Sequence, residues 1–517
     1  MNEAEFTVTA AEAAEKIAAA RYAQVSWGAL PYRERAETLK RAARYLAGHI
    51  DDITEVIHQE NGKIRLDALA AELLPAVMGL SYYLKNGGKF LASRRVTGGN
   101  ILMFNKRSRM IYKPYGVVGI ISPWNYPFAI PFSEVVMALL AGNAVILKVA
   151  SNTLGVGRAL AAVFDAARLP AGVFSYVELP GKEAGAAFIN GGVDKLFFTG
   201  SSATGKELMA LAAPRLLPLV LELGGADAAI ICDDADLDRA AAGIVWSGFS
   251  NAGQSCGGAQ RILVQKSVYA PFLDKLCALV RNLRSEEPRS GAEVPGQKAD
   301  FDIDLGPMAA LKQKKTVREQ VAACLAKGAK IAAQSPGGSL WDDGLRTPAI
   351  VLTNVTGDMP VMTGEVFGPV VAVIPWETDE EALAAANAAS YGLTGSVWSR
   401  NGSRAKRLAA GVNAGAVMIN DHLMSHGLAE TPWGGFGDSG LGRTHGFLGF
   451  REMLKAQVVI NDILPGVKRN LFWQPYSEKV YRGIRDITVF LAGPGLGRRV
   501  KAVPGVLGIF FRYWRKT

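Results

Sequence analysis

Cys256 closes the segment Asn-Ala-Gly-Gln-Ser-Cys, with Gly253 before it and Gly257-Gly258 after it. Glycine on both sides lets the backbone turn tightly and lets a small substrate approach the sulfur closely. The competing reading is a small buried hydrophobe, the usual fate of an unpaired cysteine. Glu222, 34 residues earlier, stands in Leu-Glu-Leu-Gly-Gly. A thiol nucleophile and a carboxylate base are both suggested. The alternative for Glu222 is a solvated carboxylate at a strand end.

Such groups must be held by rigid elements. Residues 117–127 read VVGIISPWNYP, an apolar β-type run ended by Pro123 that presents Asn125 just beyond it. Residues 141–151 read AGNAVILKVAS, a second apolar run that delivers Lys148. From about residue 117 to 231 the runs VVGIIS, AVILKV, FSYVEL, KLFFTG and AAIIC alternate with helical segments such as VGRALAAVFDAARL and ATGKELMALAA. This is the rhythm of a doubly wound parallel sheet, hence an α/β fold. Residues 10–91 read as helical, and a second α/β stretch follows Cys256 from RILVQKS onward.

Composition bounds the rest. At 517 residues the chain holds two to four domains at about 100–200 residues each. No apolar run reaches the ~18 residues of a membrane-spanning helix and no secretory segment is visible, so the cytoplasm is the expected compartment. The four cysteines, Cys232, Cys256, Cys277 and Cys324, fit neither a disulfide framework nor a zinc site. Only His422 and His426 have the spacing of a helical metal pair, and their DHLMSHGLAE context reads as a loop. Residues 464–517 carry 11 Lys or Arg against two acids, which is nearly all of the net charge of +10. The rest of the chain therefore offers no basic face to nucleic acid.

Taken in order, PWN, AVILK, FTGSSATG, LELGG, NAGQSC, GEVFGPV, YGLTGSVWS and PWGGFGDSGLGR closely resemble the aldehyde dehydrogenase superfamily over roughly residues 10–460. The resemblance implies a dinucleotide-binding domain (1–95 and 115–225), a catalytic domain (226–436) and oligomerisation strands (96–114 and 450–463), leaving 464–517 as a basic, aromatic extension. It implies Cys256 as nucleophile, the Asn125 amide with the Cys256 N–H as donors to the tetrahedral alkoxide, and Glu222 as the base that activates water against the thioester. For an NAD or NADP cofactor it implies Lys148 and Ser151 at the adenosine ribose and Gly200, Ser201 and Gly205 at the pyrophosphate. Glu365 and Phe367, with Trp124, would hold the nicotinamide end. A homodimer or homotetramer is implied as well.

Departures carry information. Ser151 stands where relatives often have an acid that repels a 2′-phosphate, so NADP is tolerated. Ala226 and Gly364 replace a lysine and a glutamate usual in the family. The expected funnel segments, Trp124, Ser255, Gly257 and 421–433, contain no Arg or Lys, which favours neutral aliphatic or aromatic aldehydes. A succinic-semialdehyde-type dehydrogenase, with His422 or His426 near the carboxylate, is the alternative substrate class. A catalytically silent nucleotide- or membrane-binding relative is the alternative of another kind. In the tail, Phe510, Phe511, Tyr513 and Trp514 alternate with Arg512, Arg515 and Lys516 as an anchor for an anionic membrane would, on the inner face. Packing of residues 471–491 on the enzyme body is the competing reading, and Gly493-Pro494-Gly495-Leu496-Gly497 reads as a flexible linker.

Overall fold

The apolar runs between residues 117 and 222 become strands because their side chains can be covered on both faces by helices. The computed structural model describes residues 8–285, 302–467 and 469–513. In it Val117–Ile121, Ala144–Lys148 and Lys195–Thr199 are buried at every position. They belong to a six-stranded sheet ordered Gly440–Leu441, Leu219–Glu222, Lys195–Thr199, Val117–Ile121, Ala144–Lys148, Phe174–Tyr176. All pairs are parallel except that of Gly440–Leu441 with Leu219–Glu222. The chain builds outward from Val117–Ile121 in one direction, then returns to its other side with Lys195–Thr199. That reversal opens a crevice at the carboxyl ends of these two strands, where Pro123–Asn125 and Gly200–Ser201 emerge.

A second sheet has seven strands, ordered Lys330–Gln334, Ile350–Thr353, Val370–Trp376, Ala259–Gln265, Asp227–Ile231, Thr394–Trp398, Ala416–Ile419. One correction concerns AAIIC. It does not continue the first sheet but pairs with Ala259–Gln265 and Thr394–Trp398 in the second. The Gly224-Gly225 pair makes the departure possible: a Cβ at Gly225 would lie 2.3 Å from the Cys256 carbonyl oxygen. The glycines thus place the end of one sheet, Glu222, against the loop that feeds the other.

Residues 10–91 are helical as expected, from Ala10–Ala29, with a Thr9–Glu12 capping box, to Leu74–Leu91. Their apolar stripes cover one face of the first sheet, with Trp27, Leu39, Leu46 and Leu80 fully buried against Ala129–Ala141 and its neighbours.

Residues 93–111 and 456–517 form a second compact unit. Strands Arg94–Val96, Lys106–Pro114 and Leu454–Asp462 make a three-stranded sheet in that order. The extension is not a loose end. Helices Glu478–Ala492 and Leu496–Phe510 pack antiparallel, and Ile487 and Ile509 join Leu102 and Leu471 in a small core. The glycine-rich segment read as a flexible linker is the tight turn between them, with Gly495 at φ +78°. Of the anchor proposed from sequence, Trp514, Arg515 and Lys516 and the side chain of Tyr513 lie outside the described residues. Among the described residues no helix is long and apolar enough to cross a membrane.

Candidate active site

Two cavities meet at Cys256. One is lined by Tyr126, Ile130, Glu134, Glu222, Trp433 and His445 among others. The second lies at the crevice between the sheet ends and is lined by Trp124, Asn125, Gly200, Ser201, Glu365 and Phe367 among others. Cys256 and Thr199 line both.

The cysteine is presented by an unusual turn. Asn251, Ala252 and Gly253 are all left-handed, with φ of 52°, 53° and 67°. Only glycine fits at the third, because a Cβ on Gly253 would meet the Gly368 carbonyl oxygen at 2.3 Å. The strain at Asn251 and Ala252 is offset by hydrogen bonds: the Asn251 N–H donates to Asp67 Oδ2 at 3.0 Å, and Gln254 Oε1 accepts from the Ala309 N–H at 2.9 Å. Asn125 Nδ2 donates to the Gln254 carbonyl at 3.0 Å, which leaves its second amide hydrogen for another acceptor. Asn125 and the thiol are thereby held on one frame, two residues from each other's anchor.

The Trp124–Asn125 turn is fixed by residues that sequence reading did not single out. Lys63 Nζ, fully buried, donates to the Asn125 carbonyl at 2.8 Å and to Glu72 Oε1 at 2.5 Å. Glu72 Oε2 in turn accepts from the N–H groups of Phe128 and Ala129 at 2.8 and 3.0 Å. A buried ion pair is tolerated only when its remaining hydrogen-bonding capacity is used, as here. Asn61 donates to the Trp124 carbonyl as well. Asn61, Lys63 and Glu72 lie more than fifty residues before the turn, so no local pattern in the sequence connects them to it.

Glu222 is 5% exposed, and neither carboxyl oxygen has a hydrogen-bond partner among the described residues. Burial first, and then the neighbouring carboxyl of Glu134, raise its pKa well above the ordinary carboxylate range; Arg443 and the backbone at Thr444 oppose the shift. The solvated alternative for Glu222 does not describe this environment. Cys256 keeps part of its surface open to the two cavities, yet its depth and the charges of Glu365, Asp227 and Glu222 push its thiol up as well. Nucleophilic attack therefore requires that the sulfur lose its proton.

On the cofactor side the structure brings together Trp124, Gly200, Ser201, Glu365 and Phe367. Trp124 and Phe367 meet edge to face at 5.4 Å. The loop carrying Glu365 and Phe367 is tied down by three glutamines. Gln313 donates to the Val366 and Phe367 carbonyls, Gln320 to that of Glu365, and Gln260 binds Gly364 and Val366. The Glu365 carboxyl leans over the glycine pair, accepting from the Gly225 N–H at 3.2 Å, and burial raises its pKa to about 8. Ser201 caps helix Ser202–Ala212 through Thr204, so the free N–H groups of that first turn stand at the crevice.

Lys148 sits at the end of its strand, 4% exposed, and burial alone lowers its ammonium to about 8; among the described residues no carboxylate pairs with it. A buried cation without an acidic partner, beside the half-buried hydroxyl residue Ser151, fits a ligand rich in hydroxyl and phosphate oxygens. Neither residue lines the cleft at Cys256. Gly205 requires a correction. It lies inside the helix, its N–H already donates to the Ser201 carbonyl, and a Cβ there would strike Leu223 at 2.8 Å. The absence of a side chain there is explained by packing against Leu223. The residues present at the crevice fit a dinucleotide.

His422 and His426 do not form a metal pair. His422 Nδ1 is hydrogen-bonded to Ser396 at 2.7 Å and His426 Nδ1 to the Leu423 carbonyl at 2.5 Å. His426 does line the cavity that holds Glu222, together with His445, which sequence reading passed over. Burial lowers the pKa of both, His445 to about 4.

A partly exposed thiol beside a buried carboxyl, at the junction of a dinucleotide crevice and a second cavity, defines a thiol-dependent oxidoreductase site. Comparison with known proteins agrees. The model of the aldehyde dehydrogenase family matches residues 5–459, and the chain belongs to that family. It is 34% identical, over 93% of its length and 87% of the relative's, to a 4,4'-diapolycopene aldehyde oxidase from Methylomonas sp. It is 37% identical, over 93% of its length and 91% of the relative's, to a Mycolicibacterium smegmatis protein provisionally named succinate-semialdehyde dehydrogenase [NADP(+)]. Among solved structures, betaine aldehyde dehydrogenase from Staphylococcus aureus in complex with NAD+ superposes with a TM-score of 0.81 at 28% identity, covering 90% of each chain. The protein is thus an NAD(P)-dependent aldehyde dehydrogenase, an oxidoreductase acting on the aldehyde group.

Proposed function

We propose that this enzyme oxidises neutral aliphatic or aromatic aldehydes, with Cys256 as nucleophile. The observation that carries the substrate class is the lining of the cavity that holds Glu222, which among the described residues contains no lysine or arginine and does contain the carboxyls of Glu134 and Glu222. A substrate carboxylate buried there would lack a counter-charge and face two acids. Ala71, Pro75, Gly79, Ala129 and Ile130 supply an apolar wall instead, and Leu74 and Met78, on the same helix as Pro75 and Gly79, are about half exposed.

As the thiol proton passes to solvent water, the sulfur adds to the aldehyde carbon, and the resulting alkoxide is stabilised by the Asn125 amide and the Cys256 N–H. NAD(P), when bound, accepts the hydride. The thioester left on Cys256 is hydrolysed by water that Glu222 deprotonates. Lys148 and Ser151 carry no charge that would repel a 2′-phosphate, so both NAD and NADP should serve.

Initial rates with short, long and aromatic aldehydes and with succinic semialdehyde, each with NAD and with NADP, test this reading. Octanal or benzaldehyde should exceed succinic semialdehyde in kcat/KM by about tenfold or more, a difference of about 1.4 kcal/mol. A preference for succinic semialdehyde would overturn the substrate class. The absence of turnover with all of them would favour a silent nucleotide-binding relative.

Two surface readings accompany the catalytic one. Strand Leu454–Asp462 is an edge strand with Val458, Val459 and Ile460 exposed, which supports pairing with a second copy in a homodimer or homotetramer. The helical hairpin exposes Tyr481, Phe490, Leu491, Leu496 and Val500 beside Lys479, Arg498 and Lys501, a composition suited to the anionic inner face of a membrane around a cytoplasmic enzyme. Reversing the charges of Arg498 and Lys501 to glutamate should release the protein from phosphatidylserine vesicles in co-sedimentation. Equal sedimentation of both proteins, or none of either, would remove the membrane reading.

A further inference from the structure

The solvent-facing side of a surface helix is ordinarily covered by charged and polar side chains. Residues 69–84 depart from that pattern. Glu72 is the single charged residue among them, and it is fully buried in its pair with Lys63. The segment is a π turn, Leu69–Leu73, that runs into helix Leu74–Leu91. Leu73, Ala76, Leu80 and Tyr83 face the core. On the solvent side, Leu69, Leu74 and Met78 are 38, 52 and 48% exposed. The Leu74 N–H donates to the Leu69 carbonyl across the π turn, and Met78 follows Leu74 by four residues, so the three stack along one edge.

That edge adjoins the catalytic cavity. Ala71, Pro75 and Gly79, also four residues apart, line the space that holds Cys256 and Glu222. Leu74 follows Ala71 by three residues and Met78 follows Pro75 by three, which makes each pair neighbours on the helix surface. Apolar surface therefore runs from the cavity wall to solvent without a charged group between. The passage is also kept wide. A Cβ on Gly79 would stand 3.9 Å from the Ala429 Cβ and 4.0 Å from Tyr83, which are ordinary contacts, so packing does not require glycine there. Glycine weakens a helix interior, and its retention leaves the cavity open beside Gly427 and Ala429, which line it too.

We propose that the edge formed by Leu69, Leu74 and Met78 binds the distal hydrocarbon of a long-chain aldehyde. The carbonyl reaches Cys256, the near part of the chain fills the cavity, and the remainder lies along the helix. The inference rests on the neutral-aldehyde reading above and narrows it to substrates longer than the cavity. Continuity with the cavity wall is what selects this occupant. A saturated chain needs neither a counter-charge nor a hydrogen bond, and this edge supplies neither while offering apolar area to take from water.

The test is kcat/KM for the n-alkanals from butanal to tetradecanal, in detergent-free buffer at concentrations where each aldehyde stays dispersed, for wild type and for the double variant Leu74→Ser, Met78→Ser. A methylene moved from water onto apolar surface contributes about two- to fourfold, so dodecanal should exceed butanal by about 100-fold in wild type. In the double variant the ratio of dodecanal to butanal should fall by about tenfold or more. Both substituted side chains are exposed, and a ratio taken on one protein sample is insensitive to the fraction folded.

A wild-type profile that levels off before octanal, or a ratio unmoved by the double substitution, would overturn the inference while leaving the oxidation of neutral aldehydes in place. Preference for succinic semialdehyde, or no turnover with any aldehyde, would overturn that reading and this inference with it. Should the ratio stay unmoved while the double variant loses co-sedimentation with phosphatidylcholine vesicles, the edge belongs to a lipid surface. Should it stay unmoved while the variant elutes as a smaller species in gel filtration, the edge belongs to a second copy of the chain.

Discussion

Cys256→Ala should lower aldehyde-dependent cofactor reduction by about 10⁴-fold or more, the scale on which loss of a covalent nucleophile is felt. The expectation follows from the position of the sulfur. It is the side chain at the junction of both cavities that can form a bond to an aldehyde carbon, and the left-handed Asn251–Gly253 turn fixes it there. The other three cysteines are buried in the cores and cannot substitute for it. Binding of NAD or NADP, measured by fluorescence quenching of the crevice, should be nearly unchanged, because Glu365, Phe367 and Lys148 are untouched. Rates in Cys256→Ala within tenfold of wild type would rule out the thioester route.

The second large effect is expected at Glu222. Glu222→Gln keeps the volume, and it removes the group whose raised pKa lets a carboxyl act as a base near neutral pH. The first turnover needs the thiol, the Asn125 donor and the cofactor, whereas release of the acid needs activated water. A burst of reduced cofactor close to one per active site should thus survive, followed by steady turnover slower by about 10²–10⁴-fold. In wild type the steady rate should rise with pH through a midpoint above the ordinary carboxylate range, because Glu222 must lose its proton to work. Loss of the burst together with the steady rate would show that Glu222 also takes the thiol proton, and an unchanged steady rate would remove it from hydrolysis. The burst also distinguishes this substitution from Cys256→Ala, which should show none.

The candidate groups stand out as ordered short motifs, because each sits where a strand or tight turn ends. Pro123, the Gly224-Gly225 pair and Gly253 are local signals that a chain must stop or reverse, and the reactive groups follow or precede them directly. The same local reading failed at Gly205. A glycine at the start of a helix looks the same whether its N–H faces a ligand or its missing Cβ makes room for Leu223. It failed again at AAIIC, since a buried strand carries no mark of which sheet it joins. The turn in the C-terminal extension was read as a linker because glycine and proline serve both, and only the contacts of Ile487 and Ile509 with Leu102 distinguish them.

The sequence by itself determined the strand ends, the candidate thiol, carboxyl and amide, and the absence of a cation from the expected funnel, since these depend on residues adjacent in the chain. The tertiary structure alone decided how those groups behave. The Lys63–Glu72 pair under Asn125, the glutamines behind Phe367 and the Glu134 carboxyl in the same cavity as Glu222 come from segments far apart in sequence. Burial, neighbouring charge and hydrogen-bond supply set a group's protonation, and each is a property of what folding brings within a few ångströms of it.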